Sequence, residues 1–152
     1  MIAHKQPAIA LYEPDIPQNT GTILRLCACL SITAHLIEPA GFPVTDRAFR
    51  RAGMDYLDHV RIERHASFSA FEDWRRLALT LFTTRGAVSY LDHDYRPPQV
   101  LLFGRESAGV PDRVAAAADA RLVIPMAQRL RSLNVAMSVA MAAGEMMRQL
   151  RT

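Results

Sequence analysis

Short apolar runs that read as strands alternate with helix-like stretches along the whole chain, and this alternation most narrows the choice of fold. Residues 7–12, 34–38, 59–62, 79–83, 100–103 and 122–124 form the strand-like set. Between and after them, residues 19–31, 45–52, 67–77, 111–118 and 132–150 carry helical spacing. In the first helix Ile23, Leu24, Cys27 and Leu30 share a face. The short basic helix at 45–52 is expected to end at Gly53, and Pro111 suits the first turn of the fourth helix. In the last helix Leu133, Met137, Ala140, Met141, Gly144 and Met147 make an apolar stripe. A β-α-β-α order of this kind gives an α/β fold, a mostly parallel sheet with helices on both faces. With 152 residues and 22% charged residues, the chain reads as one domain, 1–152, with a sizeable core.

Several classes are excluded by what is missing. The opening Met1–Pro7 lacks the basic stretch and long apolar run of a secretory segment, which points to a cytoplasmic protein. The uncharged stretch from Ser132 to Gly144 stops at Glu145, short of the roughly 20 residues of a membrane span. Cys27 and Cys29, at i, i+2, read as two reduced core thiols rather than a disulfide or zinc knuckle. The histidines His4, His35, His59, His65 and His93 show no metal-ligand spacing. Charge is a weaker guide. The net value of +3 fits an RNA binder and an ordinary enzyme alike, although every cation except Lys5 is arginine, the better phosphate fork.

Three loops follow strands directly, where parallel sheets bind ligands: residues 13–21, 104–109 and 125–134. The first contains only Gly21, so it is not a dinucleotide-binding G-x-G-x-x-G turn. The second has P-loop glycine spacing, but Val110 and Pro111 stand where Lys and Ser or Thr are needed. Each loop residue also has an ordinary structural reading. Asn19 caps the first helix or faces a cleft together with Arg25. Glu106 is a solvated turn residue or a site carboxylate, and Ser132 caps the last helix with Asn134 idle beside it.

Taken together, Asn19-x5-Arg25, the stretch Leu102-Phe103-Gly104-Arg105-Glu106-Ser107-Ala108-Gly109, and Ile124-Pro125-Met126 followed by Arg131-Ser132-Leu133-Asn134-Val135 resemble the three motifs of the SpoU branch of SPOUT RNA methyltransferases. The stretches Tyr12-Glu13-Pro14-Asp15-Ile16-Pro17-Gln18-Asn19, Ile37-Glu38-Pro39, Arg50-Arg51-Ala52-Gly53-Met54-Asp55-Tyr56 and Phe82-Thr83-Thr84-Arg85-Gly86 look like those of the TrmL-type tRNA (cytidine/uridine-34) 2′-O-methyltransferases within it. The resemblance runs from about Ala8 to Leu150. It implies methyl transfer from S-adenosylmethionine to the ribose 2′-hydroxyl of the wobble nucleotide of leucine tRNAs, without metal, by a homodimer. It also implies a deep C-terminal trefoil knot, which connection rules would never suggest.

By the same resemblance Arg25, Asn19 and Glu106 are catalytic. Phe82, Thr83, Gly104, Ile124, Met126, Ser132, Leu133 and Asn134 hold the cofactor. Arg47, Arg50, Arg51 and Arg85 are the candidate phosphate contacts to RNA. A guanidinium with a pKa above about 12 suits phosphate binding and alkoxide stabilisation better than it suits a base. Gly104 is expected to let the main chain approach the cofactor closely. Relatives often carry Tyr-Glu-Ala-Trp in the last helix where this chain has Gly144-Glu145-Met146-Met147, a difference that bears on tRNA or subunit contacts. Two alternatives stand beside this reading: a SpoU-type enzyme acting on another RNA, and a non-catalytic RNA-binding relative.

Overall fold

A computed structural model describes residues 7–51, 55–96, 98–128, 130 and 133–151. Seven strands build one sheet: β1 (Ala8–Tyr12), β2 (Thr33–Ile37), β3 (Ile62–His65), β4 (Ala78–Phe82), β5 (Val88–Ser89), β6 (Gln99–Phe103) and β7 (Ala120–Val123). Their order is β3-β2-β1-β6-β4-β7-β5, and every pair is parallel. Five α-helices connect or follow them: α1 (Pro17–Leu30), α2 (Asp46–Arg51), α3 (Phe68–Trp74), α4 (Asp112–Ala117) and α5 (Val135–Leu150).

The apolar runs that mark the central strands are continuous because both faces are covered. Every residue of β1, β2 and β6 is buried. Alternate residues then serve opposite layers. Ile9, Leu11, Leu101 and Phe103 pack with Ile23, Leu24 and Cys27 of α1 and with Ala136, Val139, Ala142, Ala143 and Met146 of α5. Ala8, Ala10, Val100 and Leu102 pack with Phe68 and Phe71 of α3 and Val114 of α4. Each fully buried Leu, Ile or Phe contributes roughly 1.5–3 kcal/mol relative to exposure.

Several expectations are corrected. Residues 59–62 do not form the third strand. A 3-10 turn occupies Asp55–His59, and β3 runs over Ile62–His65, pairing Ile62 with Ala34 and His65 with Ile37. As an edge strand, β3 is only partly buried and tolerates Glu63 and Arg64, which hid it from an apolar count. The two-residue β5 gives too short a pattern to read. Helix α1 starts at Pro17, so Asn19 lies inside its first turn and does not cap it. Asn134 caps α5 instead of standing idle, its side chain accepting from the Ala136 N–H at 2.8 Å. Ser132, expected in that role, lies outside the described residues, as does Gly53. Cys27 is a core thiol, but Cys29 is exposed. Finally, the stripe expected along α5 is its outer face. Met137 and Met141 are 62% and 41% exposed, while Ala136, Val139, Ala142, Ala143 and Met146 on the other side fill the core.

Candidate active site

Because the sheet order is β1-β6-β4-β7, the carboxyl ends of four strands lie side by side. The segments that leave β4, β6 and β7 enclose a cleft of about 770 Å³. That volume is within the range of ligand pockets, and so is the mixture of apolar walls with a few polar groups. Phe82 and Ile124 are buried at its base, and Phe82 stacks on Phe103 with centroids 4.8 Å apart. Leu133 and Met126 add apolar surface, while Thr83 and Asn134 add polar groups. The Thr83 N–H is committed to the Leu122 carbonyl at 2.9 Å, which fixes the turn leaving β4. Seven of the eight expected cofactor residues therefore line one cleft. The eighth, Ser132, lies outside the described residues.

Gly104 is required by the loop itself. A Cβ there would meet the carbonyl carbon of Gly109 at 2.6 Å and its Cα at 2.7 Å. The loop folds back on itself through paired bonds, Arg105 N to Gly109 O at 3.0 Å and Gly109 N to Arg105 O at 2.8 Å. Gly109 makes the return with φ +66, a left-handed geometry that glycine adopts without strain. Glycine at 104 thus closes the loop itself, and that closure sets the cleft wall.

Three long-range bonds tie the three loops together. The Asn134 side-chain amide donates to Asn19 Oδ1 at 3.1 Å, joining the start of α5 to α1. The Asp15 N–H donates to Glu106 Oε2 at 3.2 Å, and the Ser107 hydroxyl donates to the Asp15 carboxylate. Arg105 adds its charge, with Nη2 3.6 Å from Asp15 and Nη1 3.9 Å from Glu13. This neighbourhood separates two adjacent carboxyls. Burial, then the hydrogen bond with Asp15, pushes Glu106 above the usual carboxylate range. The hydrogen bonds from Glu106 and Ser107, outweighing burial and helped by Arg105, hold Asp15 below it. Of the two, Glu106 therefore keeps its proton to higher pH than Asp15, at the rim of the cleft.

Not every expected site residue joins the cleft. Asn19 and Glu106 line it, but Arg25 does not. Six residues along a helix leave Arg25 roughly 120° around the axis from Asn19. The Arg25 guanidinium is exposed and lies 5.7 Å from the ring centre of Tyr56, whose hydroxyl bonds the Gly21 carbonyl at 2.5 Å. The four arginines do not form one cluster either. Arg85 stands at the cleft, whereas Arg47, Arg50 and Arg51 lie on α2 in the β2–β3 connection, with β1 and β6 between the two places in the sheet. Arg50 is partnered by Asp58 at 2.7 Å, which leaves Arg47 and Arg51 without an ion pair among the described residues. Sequence reasoning misses Asp15, Arg105 and Ser107 as site residues. For the first two the signal is opposite charge in two loops that the sheet order joins, and the Ser107 hydroxyl carries none.

Known proteins share this sequence pattern and this fold. The tRNA (cytidine(34)-2′-O)-methyltransferase of Beijerinckia indica is 59% identical, over 93% of this chain and 90% of that protein. A solved structure described as "Structural insights into the 2-OH methylation of C/U34 on tRNA" is 41% identical, covers 97% of both chains and has a TM-score of 0.88. An AdoMet-bound rRNA methyltransferase from Sinorhizobium meliloti is 31% identical with a TM-score of 0.85, although this chain spans only 57% of it. With residues 6–144 matching its pattern and the motif loops meeting at one cleft, the chain belongs to the SpoU rRNA Methylase family.

Proposed function

We propose that this chain methylates the ribose 2′-hydroxyl of nucleotide 34 in leucine tRNAs, using S-adenosylmethionine and acting in the cytoplasm as a homodimer. The observation that carries this reading is the convergence of three motif loops, far apart in sequence, through the Asn134–Asn19 and Asp15–Glu106 bonds. The cleft residues suit the cofactor. Adenine is a flat apolar ring with a polar edge, matched by Phe82, Ile124 and Leu133 beside the backbone of Gly104 and Met126. Thr83, Asn134 and Ser132 complete the set that would hold it. Bound there, S-adenosylmethionine supplies a methyl group already activated by its sulfonium, and no metal is needed to activate it.

What the chain must add is placement and charge. Asn19 and Glu106 stand at the cleft, where they would orient the ribose for in-line approach. Glu106 keeps its proton to higher pH than Asp15 beside it, so the two carboxyls can divide hydrogen-bond donor and acceptor roles. Arg25 would bind the neighbouring phosphate and stabilise the developing alkoxide. Its position off its own cleft fits a site completed by a second copy of the chain. The outer face of α5 supports that dimer: Leu133, Met137 and Met141 are exposed, and Gly144 has open space beside it. Arg47, Arg51 and Arg85 would extend the grip to RNA phosphates. The single domain 1–152 and the C-terminal knot go with the same reading, supported by the SpoU likeness and by β6 lying between β1 and β4.

The test is methylation of total RNA by the purified protein, with the modified nucleotide mapped. Methylation at ribose 34 of leucine tRNA, lost when that nucleotide is 2′-deoxy, is the expected result. Methylation elsewhere, or of ribosomal RNA, would replace the substrate assignment. Cofactor and RNA binding without methylation of any RNA would favour the non-catalytic relative.

A further inference from the structure

On the other flank of the sheet, β2 and β3 bring together residues that sequence spacing keeps apart. Their parallel register sets His35 opposite Glu63 and Ile37 opposite His65. Residues two apart share a face, so both imidazoles and the carboxylate project on the same side. His35 Nδ1 lies 3.0 Å from His65 Nε2 and 3.7 Å from Glu63 Oε2, and the three ligand atoms all fall within 4.8 Å of one another. His35 and His65 are 2% and 8% exposed, while the Glu63 side chain is 28% exposed and opens the cluster to solvent.

We propose that His35, Glu63 and His65 form a site for a zinc-class divalent transition metal. Two imidazoles and one carboxylate are a donor set that Zn²⁺ prefers and that Mg²⁺ and Ca²⁺ do not. The geometry is close to what such an ion requires. Two nitrogens each about 2.0–2.1 Å from a tetrahedral ion stand about 3.3 Å apart. The imidazole pair therefore opens by a few tenths of an ångström, and the partly exposed Glu63 side chain swings in to meet it. The proton now between the two imidazoles moves to the far nitrogen of the ring that carries it, and both facing nitrogens become ligands. The surrounding shell is equally suitable. Arg61 holds the other oxygen of Glu63 at 2.9 Å, and the rings of Phe71 and Trp74 from α3 wall the site. The fourth position faces solvent and would take water. An ion here would pin the edge strand β3 to β2, apart from the cleft at β4, β6 and β7, and so without a part in methyl transfer.

Trp74 is the chain's sole tryptophan, and its ring centre lies 4.7 Å from that of His35 and 5.2 Å from that of His65. It is a built-in reporter. Chelator-treated, tag-free full-length protein is titrated with Co²⁺ while Trp74 fluorescence is followed, then with Zn²⁺ as competitor. Saturable quenching at one ion per chain, reversed by Zn²⁺ and untouched by millimolar Mg²⁺, is expected, together with a visible band of tetrahedral Co²⁺. Glu63→Gln, which leaves the buried imidazole pair in place, should weaken the metal at least tenfold, and His65→Gln should abolish it. Absence of saturable quenching, or equal affinity in Glu63→Gln, overturns the site and leaves a hydrogen-bonded histidine pair.

Discussion

Gly104→Ala adds one methyl group, yet it should cost both stability and cofactor binding. The new carbon would sit 2.6 Å from the Gly109 carbonyl carbon, where ordinary carbon contacts are about 3.5–4.0 Å. Backbone on both sides cannot swing away like a side-chain tip, so the loop must open by about 1 Å. That separation breaks the two bonds between Arg105 and Gly109, each worth about 1 kcal/mol net, for a loss of about 2 kcal/mol. In a chain of this size about 1 kcal/mol shifts the melting temperature by roughly 2–4 °C, which gives a fall of roughly 4–8 °C.

Gly109→Ala is the control. Its Cβ meets nothing within 4 Å, and only the left-handed φ of +66 is penalised, by about 1–2 kcal/mol. Both variants should therefore lose some stability, but only Gly104→Ala displaces the cleft wall. Calorimetry with S-adenosylmethionine should show affinity reduced at least tenfold in Gly104→Ala and within a few-fold of wild type in Gly109→Ala. Wild-type affinity in Gly104→Ala would refute the argument that loop closure shapes the site.

The raised pKa of Glu106 makes its ionised form a burden to the fold, so the stability it allows is full below the ordinary carboxylate range and is lost as pH rises through the raised value. Glu106→Gln, which keeps the acceptor for the Asp15 N–H, should melt at least as high as wild type at pH 7, with the advantage disappearing near pH 4, while methylation falls. A variant less stable than wild type at pH 7 would contradict this sign. The affinity for tRNA should fall steeply with salt, and Arg51→Ala should flatten the log–log slope by about one unit. Arg50→Ala should change it less, because Asp58 already holds that guanidinium. Met141→Glu and Gly144→Glu place charge on the open face of α5, where neither replaces a core side chain. Light scattering should find folded monomers with reduced methylation, and a fully active monomer would remove the dimer from the reading.

Buried elements were readable because burial on both faces leaves a continuous apolar run. The central strands β1 and β6 follow their apolar stretches closely. Exposed or half-exposed elements carry no such signature. Edge strand β3 spells Ile-Glu-Arg-His, which no apolar count selects, and its true position emerges only from pairing with β2. The α5 stripe is a different case. Its helix is apolar over most of its circumference, so periodicity alone gave no way to say which arc meets the sheet. The small side chains Ala136, Ala142 and Ala143 took the core, and the larger Met137 and Met141 were left outside.

The site was legible to the extent that its loops were, and its assembly was not. Asn19 and Asn134 are 115 residues apart, Asp15 and Glu106 are 91 apart, and His35 and His65 are 30 apart. No spacing rule reaches across such distances. What joins them is sheet order, which places β6 between β1 and β4 rather than beside β7, its successor in the chain. That one rearrangement lays the loop after β6 against the loop after β1 and closes the cleft with the turns after β4 and β7. Local pattern fixes which segments are strands, but the neighbours of each strand depend on how complete faces pack. The family resemblance assigned the methyltransferase loops to one site without giving that order. It supplied nothing for the imidazole pair, and there only the register of β2 against β3 shows that two ordinary histidines meet.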